Sequence, residues 1–328
     1  MRKLRLIATG GTIACVPTSR GLAPQLEASE LLGYLNIDTD NIDCVDLFSI
    51  DSSNVQPEEW CVMARAVNDC IGKYDGVVIT HGTDTLAYTA SMLSFMLRGI
   101  NIPVILTGAQ FPIVVPQSDG KGNLEHAIIA ARQMDGGVYV CFGGSIIKGC
   151  RAVKTRTTSL DAFESINYPI VGTIANNRFI RLTDPSPKGE YCFSDSINSQ
   201  VALIKLIPGT SPRLLDSLYD CGIKGVVIEA FGLGGVHNVR RDHTSSLIGL
   251  MQKGVTVILA SQCLYERSSP NIYEVSRGLK DAGIIPAYDM TTEAAVTKLM
   301  WALGQSDDRA TVERLFAANL CDEITPEE

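Results

Sequence analysis

The sequence predicts an α/β protein of two domains, each organised on a parallel sheet. Three observations carry this expectation. Short apolar runs containing β-branched residues alternate with longer segments of helical periodicity along most of the chain. Glycine-rich and polar turns follow those apolar runs, at the strand ends where open α/β sheets bind ligands. A Pro- and Ser-containing stretch, Asp184-Pro185-Ser186-Pro187-Lys188-Gly189, interrupts the alternation once. The expected division is a domain over 1–183, a linker over 184–200 and a smaller domain over 201–328.

The first element is the run Leu4-Arg5-Leu6-Ile7-Ala8, which suits a buried strand. Gly10-Gly11 then permits a tight turn and close approach of another backbone, and Thr12 stands just past it. The stretch from Cys15 to Pro24 is rich in Pro, Thr, Ser and Gly without apolar period. It reads as a mobile loop, serving either as a lid or as a plain connector. A short helix is expected over Glu27–Leu35 and a strand over Val45–Ile50. Asp51-Ser52-Ser53-Asn54 follows, either to cap the next helix or to offer hydrogen bonds to a ligand. That helix opens with Pro57-Glu58-Glu59-Trp60, proline in its first turn and carboxylates at its positive end.

Gly76 to Thr80 is the next strand, His81-Gly82-Thr83-Asp84-Thr85 its turn, and Leu86–Leu97 the helix after it. Val104–Thr107 leads to Gly108-Ala109-Gln110, with Gln110 a further polar group at a strand end. A helix from Ser118-Asp119 through Arg132 and a strand over Val138–Phe142 complete a βαβαβαβαβ order, which implies a parallel sheet covered on both faces. The pattern then changes. Ile146 to Lys154 reads as a hairpin, continued by the hydroxyl-rich Thr155-Arg156-Thr157-Thr158-Ser159. On that alternation Lys154 either points inward or is a solvated surface lysine. In the second domain strands are expected over Val201–Ile207, Gly225–Ala230 and Val255–Ala260, with helices over Asp242–Gln252, Thr291–Leu303 and Asp307–Ala318.

Composition narrows the functional classes. The 328 residues are 45% hydrophobic and 20% charged, with a formal net charge of -8, so the global basic footprint of a nucleic-acid binder is absent. No apolar run approaches the roughly 18 residues of a membrane span, and the run after Met1-Arg2-Lys3 is too short and strand-like for a signal peptide. Ten cysteines without a CxxC spacing suggest reduced thiols in the cytoplasm. The four histidines, His81, His126, His237 and His243, lack metal-ligand spacing. Gly10-Gly11 is reminiscent of a dinucleotide turn, but neither GxGxxG nor a Walker lysine is present.

The chemistry that fits is acyl transfer. A threonine hydroxyl is a poor nucleophile unless a base or relay takes its proton. Asp84 and a partly desolvated Lys154 could form such a relay, and backbone N–H groups at a glycine turn could hold an oxyanion. Amide hydrolysis through an acyl-threonine uses all these parts.

Thr9-Gly10-Gly11-Thr12-Ile13-Ala14 and His81-Gly82-Thr83-Asp84-Thr85 resemble the two signature motifs of the bacterial-type L-asparaginase family. Asp51-Ser52-Ser53-Asn54, Thr107-Gly108-Ala109-Gln110, Lys154-Thr155-Arg156-Thr157 and Asp161-Ala162-Phe163-Glu164-Ser165 agree with it. Ser261-Gln262-Cys263 and Asp289-Met290-Thr291-Thr292-Glu293-Ala294 look like its cytoplasmic, type I branch. The resemblance covers almost the whole chain. It implies a larger, flavodoxin-like N-terminal sandwich and hydrolysis of L-asparagine to L-aspartate and ammonia without cofactor or metal. It also implies a homodimer or homotetramer, acting on a small molecule rather than on nucleic acid or membrane. Thr12 would be the nucleophile, with Thr83, Asp84 and Lys154 a second threonine-centred relay. Asp51, Ser52, Thr83, Asp84 and Ala109 would contact the substrate. One departure stands out: the loop after Thr12 carries Leu22 where the family often has a tyrosine. Tyr273, in Ser269-Pro270-Asn271-Ile272-Tyr273-Glu274, resembles a tyrosine that some type I relatives deliver across the subunit interface; the alternative is a structural tyrosine. Two competing functions remain. One is the glutaminase-type component of a tRNA-dependent amidotransferase, which usually carries an extra N-terminal domain, whereas the first strand here begins almost at Met1. The other is a non-catalytic amino-acid sensor.

Overall fold

The computed structural model describes all residues except 20, 186–188, 266, 270–273 and 327–328, and the backbone alone for 274–277. The chain divides into two compact units, Met1–Asp195 and Ser196–Glu328.

The first unit opens with β1 (Leu4–Gly10), then a hairpin of β2 (Cys15–Thr18) and β3 (Gly21–Pro24), α1 (Ala28–Leu32), β4 (Ile42–Ile50), α2 (Pro57–Asn68), β5 (Gly76–Thr80) and α3 (Leu86–Met96). The two-residue β6 (Leu97–Arg98) precedes β7 (Pro103–Thr107), α4 (Gly120–Gln133) and β8 (Gly137–Phe142). Then follow β9 (Ser145–Lys148), β10 (Ala152–Lys154), β11 (Phe163–Ser165), β12 (Gly172–Ala175), β13 (Arg178–Arg181) and β14 (Cys192–Phe193).

Five of these strands form a parallel core in the order β4-β1-β5-β7-β8. Counted among themselves this is the flavodoxin-like order 2-1-3-4-5, whose topological switch lies between its first and third strands, here β1 and β5. The registers Leu4↔Gly76 and Ala8↔Thr80 bring the carboxyl ends of those two strands level. Every residue of β5 and β7 is buried, as a sheet covered on both faces requires. Leu6, Ala8, Val78 and Ile105 pack with Leu124 and Ile128 of α4 in one core layer. Every residue of α3 except Tyr88 is buried too, which fits its sequence, apolar or small all round.

Three expectations need correction. The stretch after Thr12 is no structureless loop: it pairs as an antiparallel hairpin, Cys15↔Pro24 through Thr18↔Gly21. Its prolines and glycines hide the strand pattern from a periodicity reading. The sheet is mixed, because β9 returns antiparallel to β8 and is extended by β12 and β13. For the same reason 146–154 is no single hairpin: β9 joins the large sheet, while β10 pairs with β11, Lys154 opposite Phe163. A turn over Gly149–Arg151 separates the two.

The second unit is a smaller βα arrangement: β15 (Val201–Lys205), α5 (Pro212–Asp220), β16 (Gly225–Ala230), α6 (His243–Gln252), β17 (Thr256–Ser261), α7 (Glu274–Asp281), β18 (Ile285–Pro286), α8 (Thr292–Gln305) and α9 (Arg309–Ala317). Its four strands are parallel and lie in sequential order. Val226, Ile228, Val257 and Leu259 pack with Leu215, Leu247 and Leu250 in its core.

Candidate active site

The glycines at the end of β1 bring its turn against the turn after β5. Gly10 and Gly11 hold φ of 95° and 76°, a left-handed backbone that other residues resist. A Cβ on Gly11 would stand 2.3 Å from Gly82 N and 2.5 Å from Gly82 Cα. One on Gly82 would stand 2.5 Å from Ser52 Oγ. Three strand-end turns therefore touch at Gly82: that of Thr12, that of Ser52, and its own, which carries Thr83. Thr12 begins a short turn over Thr12–Ala14, half-buried, while Ile13 and Ala14 anchor that turn in the core.

Asp51 caps the Ser52–Asn54 turn, accepting Ser53 N–H at 2.8 Å and Ser53 Oγ at 2.5 Å. Those two bonds hold its carboxyl below the usual carboxylate range. The expectation that this stretch caps the next helix is corrected: α2 is capped by Gln56, in a capping box with Glu59. The Asp51 carboxylate shapes its own turn and stays charged at the exposed rim, free for a ligand. Ser52 is buried, and its carbonyl accepts from Thr85 Oγ1 at 2.7 Å.

Lys154 reaches inward. Its Nζ donates to Thr83 Oγ1 at 2.8 Å and to Asp84 Oδ1 at 2.6 Å. Its side chain is 13% exposed, that of Asp84 63%. The surface-lysine reading is therefore set aside. Thr83 Oγ1 in turn donates to Gln110 Oε1 at 3.2 Å. Gln110 Nε2 donates to the carbonyls of Thr157 and Ser159, at 3.0 and 3.1 Å, which fixes which end of the amide faces Thr83. Asp119 accepts the backbone N–H groups of Gln110 and Phe111 and so holds the turn carrying the buried Ala109.

Thr12, Ser52, Thr83, Asp84 and Lys154 are thus gathered at the β1/β5 switch, with Asp51 and Ala109 on the flanking turns. Leu22 is exposed on β3, where no hydroxyl replaces the missing tyrosine. Tyr273 lies outside the described residues. Sequence reasoning noted Gln110 only as a strand-end polar group; its tie to Thr83 spans 27 positions, and no local pattern encodes it. Among the described residues no group of three or more His, Cys, Asp or Glu could hold a metal ion. Two hydroxyls, one of them bonded to a lysine–carboxylate pair, beside backbone N–H groups at glycine turns, suit acyl transfer through an activated threonine.

Comparison with known proteins agrees along the whole chain. Residues 3–186 match the family model "Asparaginase, N-terminal", and residues 200–316 match "Glutaminase/Asparaginase C-terminal domain". The chain is 39% identical over 327 residues to the L-asparaginase of Thermococcus kodakarensis, covering 98% of this chain and 99% of that protein. The solved structure of the thermostable L-asparaginase from that organism superposes with a TM-score of 0.94, covering 99% of this chain and 100% of the other. L-asparaginase I from Vibrio cholerae, 29% identical, gives 0.88 over 99% of this chain and 100% of its own. A glutamyl-tRNA(Gln) amidotransferase subunit from Methanopyrus kandleri is 38% identical, over 97% of this chain and 74% of its own length.

Proposed function

Because this chain belongs to the asparaginase family, we propose that it hydrolyses L-asparagine to L-aspartate and ammonia, with Thr12 as the nucleophile. Thr12 Oγ attacks the side-chain amide carbon, and its proton ends on the departing nitrogen, so that ammonia leaves neutral. The C–N bond breaks as the C–O bond to Thr12 forms. Backbone N–H groups of the glycine turns stabilise the intervening oxyanion. Water then attacks the Thr12 ester. Lys154 passes one ammonium proton to Asp84 along their hydrogen bond. Its free amine takes the water's proton through Thr83, and a proton returns to Thr12 as the ester bond breaks and aspartate departs. Asp51, anionic through its two hydrogen bonds, suits the substrate's α-ammonium, with Ser52 and Asp84 completing the α-carboxylate and α-amino contacts. Ala109 contributes its backbone on the turn that Asp119 holds.

The observation that carries this reading is the contact of Lys154 Nζ with both Thr83 and Asp84. A lysine drawn inward to a threonine hydroxyl and a carboxylate is the arrangement a proton relay needs, and a packing role would not demand it. Proton-relay groups contribute about 10²–10⁴-fold. Lys154→Met, which keeps the stem and loses the ammonium, is expected to lose asparagine turnover within that range while melting as a folded protein. Near-wild-type turnover in that variant would contradict the relay.

Thiols buried in the N-terminal unit, such as Cys15, Cys70 and Cys141, are free, which fits a reducing, cytoplasmic setting. No described helix is long and apolar enough to cross a membrane. A homodimer or homotetramer is the assembly proposed, with a small amino acid and not a nucleic acid as the partner in chemistry.

A further inference from the structure

His81 is fully buried, titratable, and unused by the mechanism above. Its surroundings determine its proton. Nδ1 lies 2.7 Å from the carbonyl oxygen of Gly82, which can only accept, so Nδ1 carries the hydrogen. Nε2 is then bare and accepts from Thr89 Oγ1 at 3.0 Å. Thr89 Oγ1 in its turn accepts the indole N–H of Trp60, also at 3.0 Å. The indole is a donor only, so every direction in the chain Trp60→Thr89→His81→Gly82 is fixed from one end to the other. Burial pushes the imidazole down to about 4, so it stays neutral across the physiological range.

The acceptor at the end of this chain is the peptide on which the site converges. Gly82 has Gly11, the residue before Thr12, packed on one side and Ser52 on another, with room for a Cβ at neither contact. Its carbonyl belongs to the same peptide plane as the N–H of Thr83. His81 is itself pinned behind, its N–H donating to Thr107 O at 2.8 Å and its carbonyl 2.3 Å from where a Cβ on Gly108 would stand. A rotation of the Gly82–Thr83 peptide would displace Thr12, Ser52 and Thr83 relative to one another.

We infer that His81 is a positioning residue: held in its Nδ1–H form by Trp60 and Thr89, it fixes the Gly82–Thr83 peptide and through it the mutual spacing of Thr12, Ser52 and Thr83. The inference rests on the asparaginase reading for its kinetic consequence, but not for the tautomer. Thr89 and Trp60 lie on α3 and α2, behind the strand ends, so their effect on turnover acts only through the imidazole. Misplacement by about 1 Å costs on the order of 10² in rate.

The test begins at the far end of the chain. Thr89→Val removes the donor to Nε2 at nearly constant shape, and Thr89→Ser keeps it. With ¹⁵N-labelled histidine, the wild type should show a His81 ring with its proton on Nδ1 that does not titrate between pH 8 and 5. In Thr89→Val the bare Nε2 loses its donor and only the Gly82 carbonyl still holds the ring, so the Nε2 resonance should shift and the ring should gain mobility. Turnover of asparagine should then fall roughly 10- to 100-fold with KM changed less than about 2-fold. Thr89→Ser should restore both the spectrum and turnover. A wild-type ring protonated on Nε2 would overturn the inference, as would a Thr89→Val enzyme whose ring loses its Nε2 hydrogen bond yet keeps full turnover. If Thr89→Val does not fold, the wild-type and Thr89→Ser spectra still decide the tautomer. If the wild type hydrolyses no asparagine, the functional reading fails while the spectrum still reports on His81, so the two failures are separable.

Discussion

Lys154 serves two partners in very different settings. Asp84 is mostly exposed, so its attraction to the ammonium is screened by water and worth little as stability. Thr83 is buried, and the 2.8 Å bond from Lys154 orients its hydroxyl at a site where water does not compete. The pair should matter for chemistry far more than for folding, and its members should act as a unit. Lys154→Met and Asp84→Asn are each expected to slow turnover by about 10²–10⁴-fold, and the double variant should be little worse than the slower single one. Losses that multiply would mean that the two residues act independently. His81 makes a prediction of the opposite kind, about stability. Its folded value is lowered from 6.5 to about 4 by burial. Between those pH values the unfolded chain binds a proton that the folded chain refuses, so the contribution of His81 is lost as pH falls through that window. Thermal melts should show the wild type losing stability from pH 6.5 to 4 more steeply than His81→Gln. Parallel profiles would show that His81 is not held neutral.

At the scale of elements, the site depends on how closely strand ends can approach. Gly11 carries both a positive φ and a backbone contact that leaves no room for a methyl group. The atoms in the way are Gly82 N and Cα, which cannot rotate aside as a flexible side chain could. Gly11→Ala should cost at least about 1–3 kcal/mol, read as a Tm drop of at least about 3 °C, and should slow turnover by separating the two turns. Unchanged melting and turnover would show that the turns have slack. Elements whose identity rests on their own residues were legible in the sequence: the runs that became β1, β5, β7 and β8, and the helices from Pro57 and Leu86. Elements defined by a distant partner were not. The two-residue β6 exists only because it pairs with β14, Cys192 opposite Arg98. The 146–154 segment reads as a hairpin locally, yet each half finds another strand. The same division holds in the site. Thr12, Ser52, Thr83 and Asp84 were visible as polar residues at strand ends, and Lys154 as one arm of a proposed relay. The links from Trp60 through Thr89 to His81 span 29 and 8 positions and depend on ring geometry, which no sequence pattern carries.

For the whole molecule, the open question is what activates Thr12. β3 of the hairpin after it presents Leu22 and no hydroxyl. Our candidate is Tyr273, outside the described residues, contributed by a second copy of the chain. Tyr273→Phe should lower turnover while light scattering reports an unchanged oligomer; full activity in that variant, or in a demonstrated monomer, would leave Lys154 or an ordered water as the activating group. Relatives with two names match this chain along its length, an L-asparaginase and a glutamyl-tRNA(Gln) amidotransferase subunit. The most direct measurement of the account is therefore made on the isolated chain, with L-asparagine and nothing else. Ammonia and aspartate are quantified for the wild type and for Thr12→Ala. The account predicts equal amounts of ammonia and aspartate from the wild type, and a loss of at least about 10³-fold in the variant, since the nucleophile itself is gone. No ammonia from the wild type without a partner, or undiminished release from Thr12→Ala, would contradict it.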